Sequence, residues 1–228
     1  MIFENTESMT SADSTFYQVS ICCVFFGYKD RELKLLVRSA ETGEVFFPQK
    51  KMQVEHSLYA TASNLVCSLM KNKNYYIQQV GAEDSLTAEL ESTPHLTITY
   101  YVLTQCDNLV ASHIESHPFY WISLNDIRLN SMQKKTVETA LKKVRQIFHV
   151  RPVAFHMLPS LFTLSQFQHL YELILSTPVD KRNFRKKISD MNFIQQTDYI
   201  DKSSSKRGAH LYHFNPEMFR KSKVNFKI

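Results

Sequence analysis

The stretch from Thr163 to Phe214 allows few folds. Apolar residues recur at Leu164, Phe167, Leu170, Tyr171 and Ile174, the spacing of one helix face, and Thr163 stands three residues ahead of Gln166, a capping-box pair that starts a helix. Ser176-Thr-Pro-Val ends that helix, because proline lacks the amide hydrogen and clashes with a continuing turn. Asp180 can cap a second helix, predicted over Lys181 to Met191, which sets Phe184, Ile188 and Met191 on one side at i, i+4 and i+7. Phe193 to Thr197 and Ala209 to Phe214 read as short strands that bracket a loop with Lys202, Lys206, Arg207 and Gly208. Helix, break, basic helix and basic-tipped hairpin, in that order, make a winged helix-turn-helix.

The charge follows the same boundary. Residues 155–228 hold 12 Lys and Arg against 6 Asp and Glu, whereas residues 1–154 hold 15 against 16. A nearly neutral front and a basic rear suggest that the rear meets a polyanion and the front senses or dimerises. A recognition helix must bury one face on its scaffold and offer the other to the major groove, about 12 Å wide. Phe184, Ile188 and Met191 meet the first demand; Lys181, Arg182, Asn183, Arg185, Lys186 and Ser189 are candidates for the second. Arginine can grip a guanine edge with both ends of its fork, while lysines and wing residues hold phosphates. Lys206 and Arg207 at the wing tip would lie on the backbone or enter the minor groove, and Lys202 of the same loop is a further DNA-binding candidate. Taken alone, KRNFRKK also suits a solvated helix face; the capped helix before it and the basic hairpin after it favour DNA.

In the front half, Phe16 to Phe26 and Glu32 to Val37 are strand-like, joined through Gly27-Tyr-Lys-Asp-Arg as a hairpin. Ser57 to Met70 has helical spacing, with Ser57 as its cap. Tyr75 to Gly81, Leu96 to Leu103 and Phe119 to Ile122 are predicted strands, the first two separated by the acidic segment Glu83 to Glu91, read as a loop. Met132 to Phe148 is a predicted helix. Two strands, a helix, three strands and a helix describe an α/β layered domain with a mixed sheet, ending near Val150. The expected organisation is a poorly ordered leader over 1–15, a domain over 16–150 and the winged helix-turn-helix over 155–228.

No run approaches the roughly 20 apolar residues of a membrane span, and the acidic, polar start is unlike an export signal. Cys22, Cys23, Cys67 and Cys106 form no CxxC pair, and vicinal Cys22 and Cys23 on a strand point to opposite faces as reduced core thiols. The expected location is the cytoplasm.

LPSLFTLSQFQHLYELIL, then VDKRNFRKKISDMNFI, then KRGAHLYHF resembles the carboxy-terminal module of the Nudix-related transcriptional regulators. FPQKKM falls where members carry a Leu-Pro-Gly-Gly turn, YYIQQVG follows the central helix, and PVAFHMLP joins the domains. The resemblance implies an α/β (α+β) chain: an amino-terminal Nudix-like mixed-sheet α/β/α domain followed by the winged helix. It also implies a homodimer on double-stranded operator DNA, a small-molecule effector, and control of an operon of sugar catabolism or NAD metabolism, with repression the commoner sign.

The chain departs from the Nudix box, G-x5-E-x7-R-E-U-x-E-E-x-G-U. Laid on without gaps, the box's glycines, glutamates and arginine become Lys50, His56, Asn64, Leu65, Ser68, Leu69 and Lys71. Magnesium wants hard oxygen ligands, and this set cannot supply them. The front domain is therefore expected to bind without hydrolysing and to need no cofactor. Its candidate effector residues are His56, Glu83, Asp84 and Glu89, although a His at a helix start is more often structural. The segment SLTAELESTPH carries Pro94 where family members have Arg, and no Lys or Arg lies between Lys73 and Arg128. A sugar is thus favoured over a phosphorylated nucleotide. The competing readings are a nucleoside-diphosphate or sugar-nucleotide hydrolase, which needs the missing carboxylates, and an RNA-binding or scaffold protein that uses the winged helix for contacts.

Overall fold

Strand β1 (Gln18–Lys29) is apolar on both sides and lies inside a sheet covered on both faces. The computed structural model describes residues 17–53, 55–85, 95–110, 118–202 and 208–222, so the leader expected over 1–15 lies outside it. β1 pairs antiparallel with β2 (Glu32–Ser39) and parallel with β6 (His95–Thr104). The path continues to β5 (Tyr75–Ser85) on one side and β3 (Val45–Phe46) on the other, with β4 (Gln49–Lys51) on β1 and β7 (Tyr120–Ser123) on β2. The sheet is mixed, as the element order predicts.

Alternation along β1 divides the core. Ile21, Cys23 and Phe25 face helix α1 (Leu58–Leu69), with Ala62, Leu65 and Val66 against them. Val24, Phe26 and Tyr28 face helix α2 (Ser131–Phe148), whose Val137, Ala140, Leu141 and Val144 cover the opposite side. Both caps are side chains: Ser57 Oγ accepts from the Ala60 amide at 3.1 Å, and Asn130 forms a capping box with Gln133. Cys22 and Cys23 are buried thiols on opposite faces, as their adjacency on a strand requires.

Two local expectations need correction. The β1–β2 turn is only Asp30-Arg31, both at positive φ (54° and 62°), while Gly27, Tyr28 and Lys29 continue the strand. A two-residue turn of that hand matches the twist of its strands. Gly27 is there because a Cβ would come within 2.6 Å of Cys106 Sγ and 2.9 Å of the Trp121 ring. Secondly, β5 runs on to Ser85 across an irregularity between Gln79 and Gly81, so Glu83 and Asp84 lie on a strand paired with Thr97 and Leu96, not in a loop.

The connector is folded. Val153–His156 is a 3₁₀ turn in which Val153 and Ala154 are buried, as are Met157 and Leu158 just after it. β8 (Phe162–Thr163) leads into α3 (Leu164–Leu175), capped by Thr163 and Gln166 in the capping box. α4 is Lys181–Ser189, shorter than predicted, with Met191 buried just past its end. β9 (Ile194–Asp201) and β10 (Ala209–Phe214) form the wing, β8 joins β10 as a third strand, and α5 (Pro216–Lys221) follows. One apolar core runs without a break from Val24 and Phe26 through Phe148 and Val153 to Phe167, Phe184 and Phe193.

Candidate nucleic-acid interface and ligand pocket

The basic helix is held from beneath by aromatic rings. Phe184 is 1% exposed and meets Phe167 edge-on at 5.3 Å, with Tyr171 at 6.0 Å. Ile188 is buried beside it. Asp180 accepts from the Asn183 amide at 2.8 Å, which fixes where the helix begins. The turn between α3 and α4 is organised by one carboxylate: Glu172 Oε1 accepts from the Val179 amide at 3.0 Å and from Gln168 Nε2 at 3.0 Å. These donors, the Gln168 bond first, hold the Glu172 carboxyl below its ordinary value.

With Phe184 and Ile188 buried, helical geometry sends Arg182, Lys186 and Ser189 directly outward, flanked by Asn183 and Arg185. All five are exposed, as are Lys181 and Lys187, and the sequence candidates on this helix therefore share one surface. Ser189 spends its hydroxyl proton on its own helix, donating to the Arg185 carbonyl at 2.9 Å. Lys187, also exposed, extends the basic surface and was visible in the run KRNFRKK. Lys202 is exposed where β9 ends. Lys206 and Arg207 lie outside the described residues. Gly208 has φ +72°, a left-handed conformation that a side chain would strain, as the chain enters β10.

At the Nudix-box positions the surroundings are ordinary. Lys50 and Asn64 are exposed, Leu65 is buried, and Ser68 Oγ donates to the Leu65 carbonyl at 2.8 Å. Lys71 Nζ donates to the Asp107 carbonyl at 3.0 Å, and Leu69 packs on the α1-side core. Helix α1 carries no carboxylate at all. Among the described residues no group of three His, Cys, Asp or Glu side chains could hold a metal. This donor set does not fit magnesium, which needs several hard oxygens in an octahedral array. His56 is half-buried with its Nδ1 unpartnered, and it is not among the residues of the pocket that takes in Glu83.

That pocket, about 180 Å³, lies between the sheet and the first turns of α2. Glu83 shares it with Cys22, Thr97 and Thr99 from the sheet, Phe46 of β3, Phe47 just after it, and Thr136 from α2. The Thr136 hydroxyl, 3.3 Å from Glu83 Oε2, is also 3.0 Å from the Met132 carbonyl, so its one proton is shared and the carboxylate keeps free lone pairs. No Lys, Arg or His lines the pocket. Burial, with Glu83 adding to it, pushes the Cys22 thiol up to about 12, which makes it a poor nucleophile. Asp84 sits next to Glu83 on β5; Glu89 lies outside the described residues. Sequence reasoning missed the α2 and Thr97/Thr99 contributions, since only tertiary packing brings them to Glu83.

Residues 154–214 match the family model of the NrtR DNA-binding winged helix domain. The chain is 25% identical over 122 residues to the ADPR responsive transcriptional repressor NtrR of Acinetobacter baylyi, a match covering 52% of this chain and about half (48%) of that relative's length. Among solved structures, Shewanella oneidensis NrtR complexed with a 27mer DNA superposes with a TM-score of 0.72 at 20% identity, over 88% of this chain and 94% of that one. A MutT/nudix family protein from Enterococcus faecalis gives 0.65 at 12% identity over 88% of each chain. These two share the fold. Residues 154–214 thus carry an NrtR-type winged helix domain, and the chain as a whole shares the Nudix-plus-winged-helix fold of these structures.

Proposed function

We propose that the chain is a transcriptional repressor that binds double-stranded operator DNA as a homodimer and is released by a small effector held in the Nudix-like domain. The observation that carries this reading is the outward set Arg182, Asn183, Arg185, Lys186 and Ser189, opposite the buried Phe184 and Ile188. Arg182 and Arg185 are proposed to read bases; Lys181, Lys186, Lys202, Lys206 and Arg207 to hold phosphates. The name of the Acinetobacter relative, an ADPR-responsive repressor, supports repression relieved by ligand. The regulated genes are proposed to serve sugar catabolism or NAD metabolism.

The domain is proposed to be catalytically inactive, because α1 offers no carboxylate where the chemistry needs a metal. The effector is proposed to be a sugar or sugar-like polyol in the Glu83 pocket. Free carboxylate lone pairs and threonine hydroxyls suit hydroxyl groups, whereas a phosphate would face Glu83 with no cation among the lining residues. Coupling would be a population shift: the ligand favours one spacing of the two recognition helices, which must match roughly 34 Å or a multiple on DNA.

The test is release of the protein from a bound duplex by free aldoses and by ADP-ribose, with Glu83→Gln alongside. Release by a sugar that weakens at least tenfold in the variant supports the reading. Release by ADP-ribose alone assigns the pocket to a nucleotide and removes the sugar.

A further inference from the structure

A second cavity, about 450 Å³, opens where the sheet, the connector and the wing meet. That volume is within the ~300–1,000 Å³ of small-molecule sites, which gather at domain junctions. Three parts of the chain build it: Tyr76 from β5, the connector from Arg151 to His156, and Phe214 and Phe219 from β10 and α5. Its rings are ordered. Phe155 and Phe214 stack at 4.2 Å with planes 7° apart, Phe219 is 6.0 Å from Phe214, and Tyr76 is 6.1 Å from His156.

Two polar groups at this cavity have capacity to spare. Arg151 is exposed and donates through one guanidinium nitrogen to the Tyr76 hydroxyl at 3.2 Å. Neither ion pair found among the described residues involves it, so its remaining donors and its full charge are available. His156 Nδ1 lies 3.1 Å from Asn74 Oδ1, an arrangement that suits the tautomer with its proton on Nδ1 and its lone pair on Nε2. Burial lowers the His156 value, which favours the neutral ring. One cation, one neutral acceptor and four aromatic walls match a flat guest with a single negative charge.

We propose that this junction cavity is a ligand site for a small aromatic carboxylic acid, its ring against Phe155, Phe214 and Phe219 and its carboxylate on Arg151. A lone guanidinium takes a carboxylate through two parallel hydrogen bonds; a doubly charged phosphate would need a second cation that the walls lack. Such a guest touches the sheet through Tyr76 and the wing through Phe214, so it ties the wing's attitude to the front domain. Binding itself stands whether or not the protein is a DNA-binding repressor.

The experiment uses the full chain with 4-fluorobenzoate and its uncharged analogue 4-fluorobenzamide as probes, read by fluorine relaxation. The expected result is broadening of the acid, at most a tenth of the affinity for the amide, loss of that preference in Arg151→Gln, and its recovery in Arg151→Lys. Arg151 is on the surface, so neither change unfolds the chain, and equal thermal melts verify it. No broadening of the acid, or equal binding of acid and amide, overturns the site, as does an unchanged preference in Arg151→Gln. A Glu83→Gln control, far from these walls, keeps the acid's affinity; its loss would place the probe in the other pocket and also overturn the proposal.

Discussion

Arg145 of α2 closes the end of the scaffold helix at Ser176: its Nε donates to the Ile174 carbonyl at 2.7 Å and its Nη2 to Ser176 Oγ at 3.0 Å. Ser176 has a left-handed backbone (φ 53°), the conformation that ends α3 and starts the turn of the helix-turn-helix. The helix that lines the Glu83 pocket with its first turns thus fixes the recognition turn with its last ones.

Replacing Arg145 with Ala removes two charge-assisted bonds at the end of α3 and is expected to cost about 1.5–3 kcal/mol of stability. Chemical denaturation measures it. The larger consequence is expected in DNA affinity, because the turn loses its tie to α2; wild-type affinity in the variant would detach the clamp from function.

Arg182→Ala and Arg185→Ala are each expected to cost about 1–3 kcal/mol on a specific duplex and to relax preference at one position of each half-site. Equal losses on random duplex would demote either residue to a phosphate contact. Lys206→Ala with Arg207→Ala is expected to weaken all duplexes and lower the salt slope by roughly one per lost contact per subunit.

Phe184→Ala empties the space between Phe167 and Tyr171 and is expected to cost about 3–5 kcal/mol. The loss shows as earlier melting of the winged helix by hydrogen exchange in α3 and α4. Protection unchanged there would mean that α4 is held by other contacts.

Acidification is expected to destabilise the chain in two steps. Burial lowers His156; burial and Arg31 lower His169, whose Nδ1 lies 3.2 Å from the Tyr28 hydroxyl on the hairpin that α3 covers. A folded value below the unfolded one gives stability that is present above about 6.5 and is lost as pH falls below it. Glu172, also lowered, follows at more acidic pH, below about 4.5. Melting temperatures at pH 7.5, 5.5 and 4 check this; His156→Gln with His169→Gln is expected to flatten the first step only.

Much of this was legible in the sequence because it is local. Ser57, Thr163 with Gln166, and Asp180 start their helices where the caps predict, and Phe184 and Ile188 face the core as their spacing requires. β3, β4, β8 and α5 were not, since elements of two to six residues carry too little periodicity to be read. The extension of β5 through Ala82-Glu-Asp-Ser was hidden by its polarity; pairing with β6, not residue preference, makes it a strand. The Glu83–Thr136, Arg145–Ile174 and Tyr28–His169 contacts join residues 53, 29 and 141 positions apart, which no local pattern encodes.

The most direct test is selection of bound duplexes from a random DNA pool by the purified protein at moderate salt. An enriched two-fold symmetric site, lost in Arg182→Ala with Arg185→Ala, is the predicted result. Strong, salt-sensitive binding with no enriched sequence would contradict a sequence-reading helix and leave α4 gripping only the backbone.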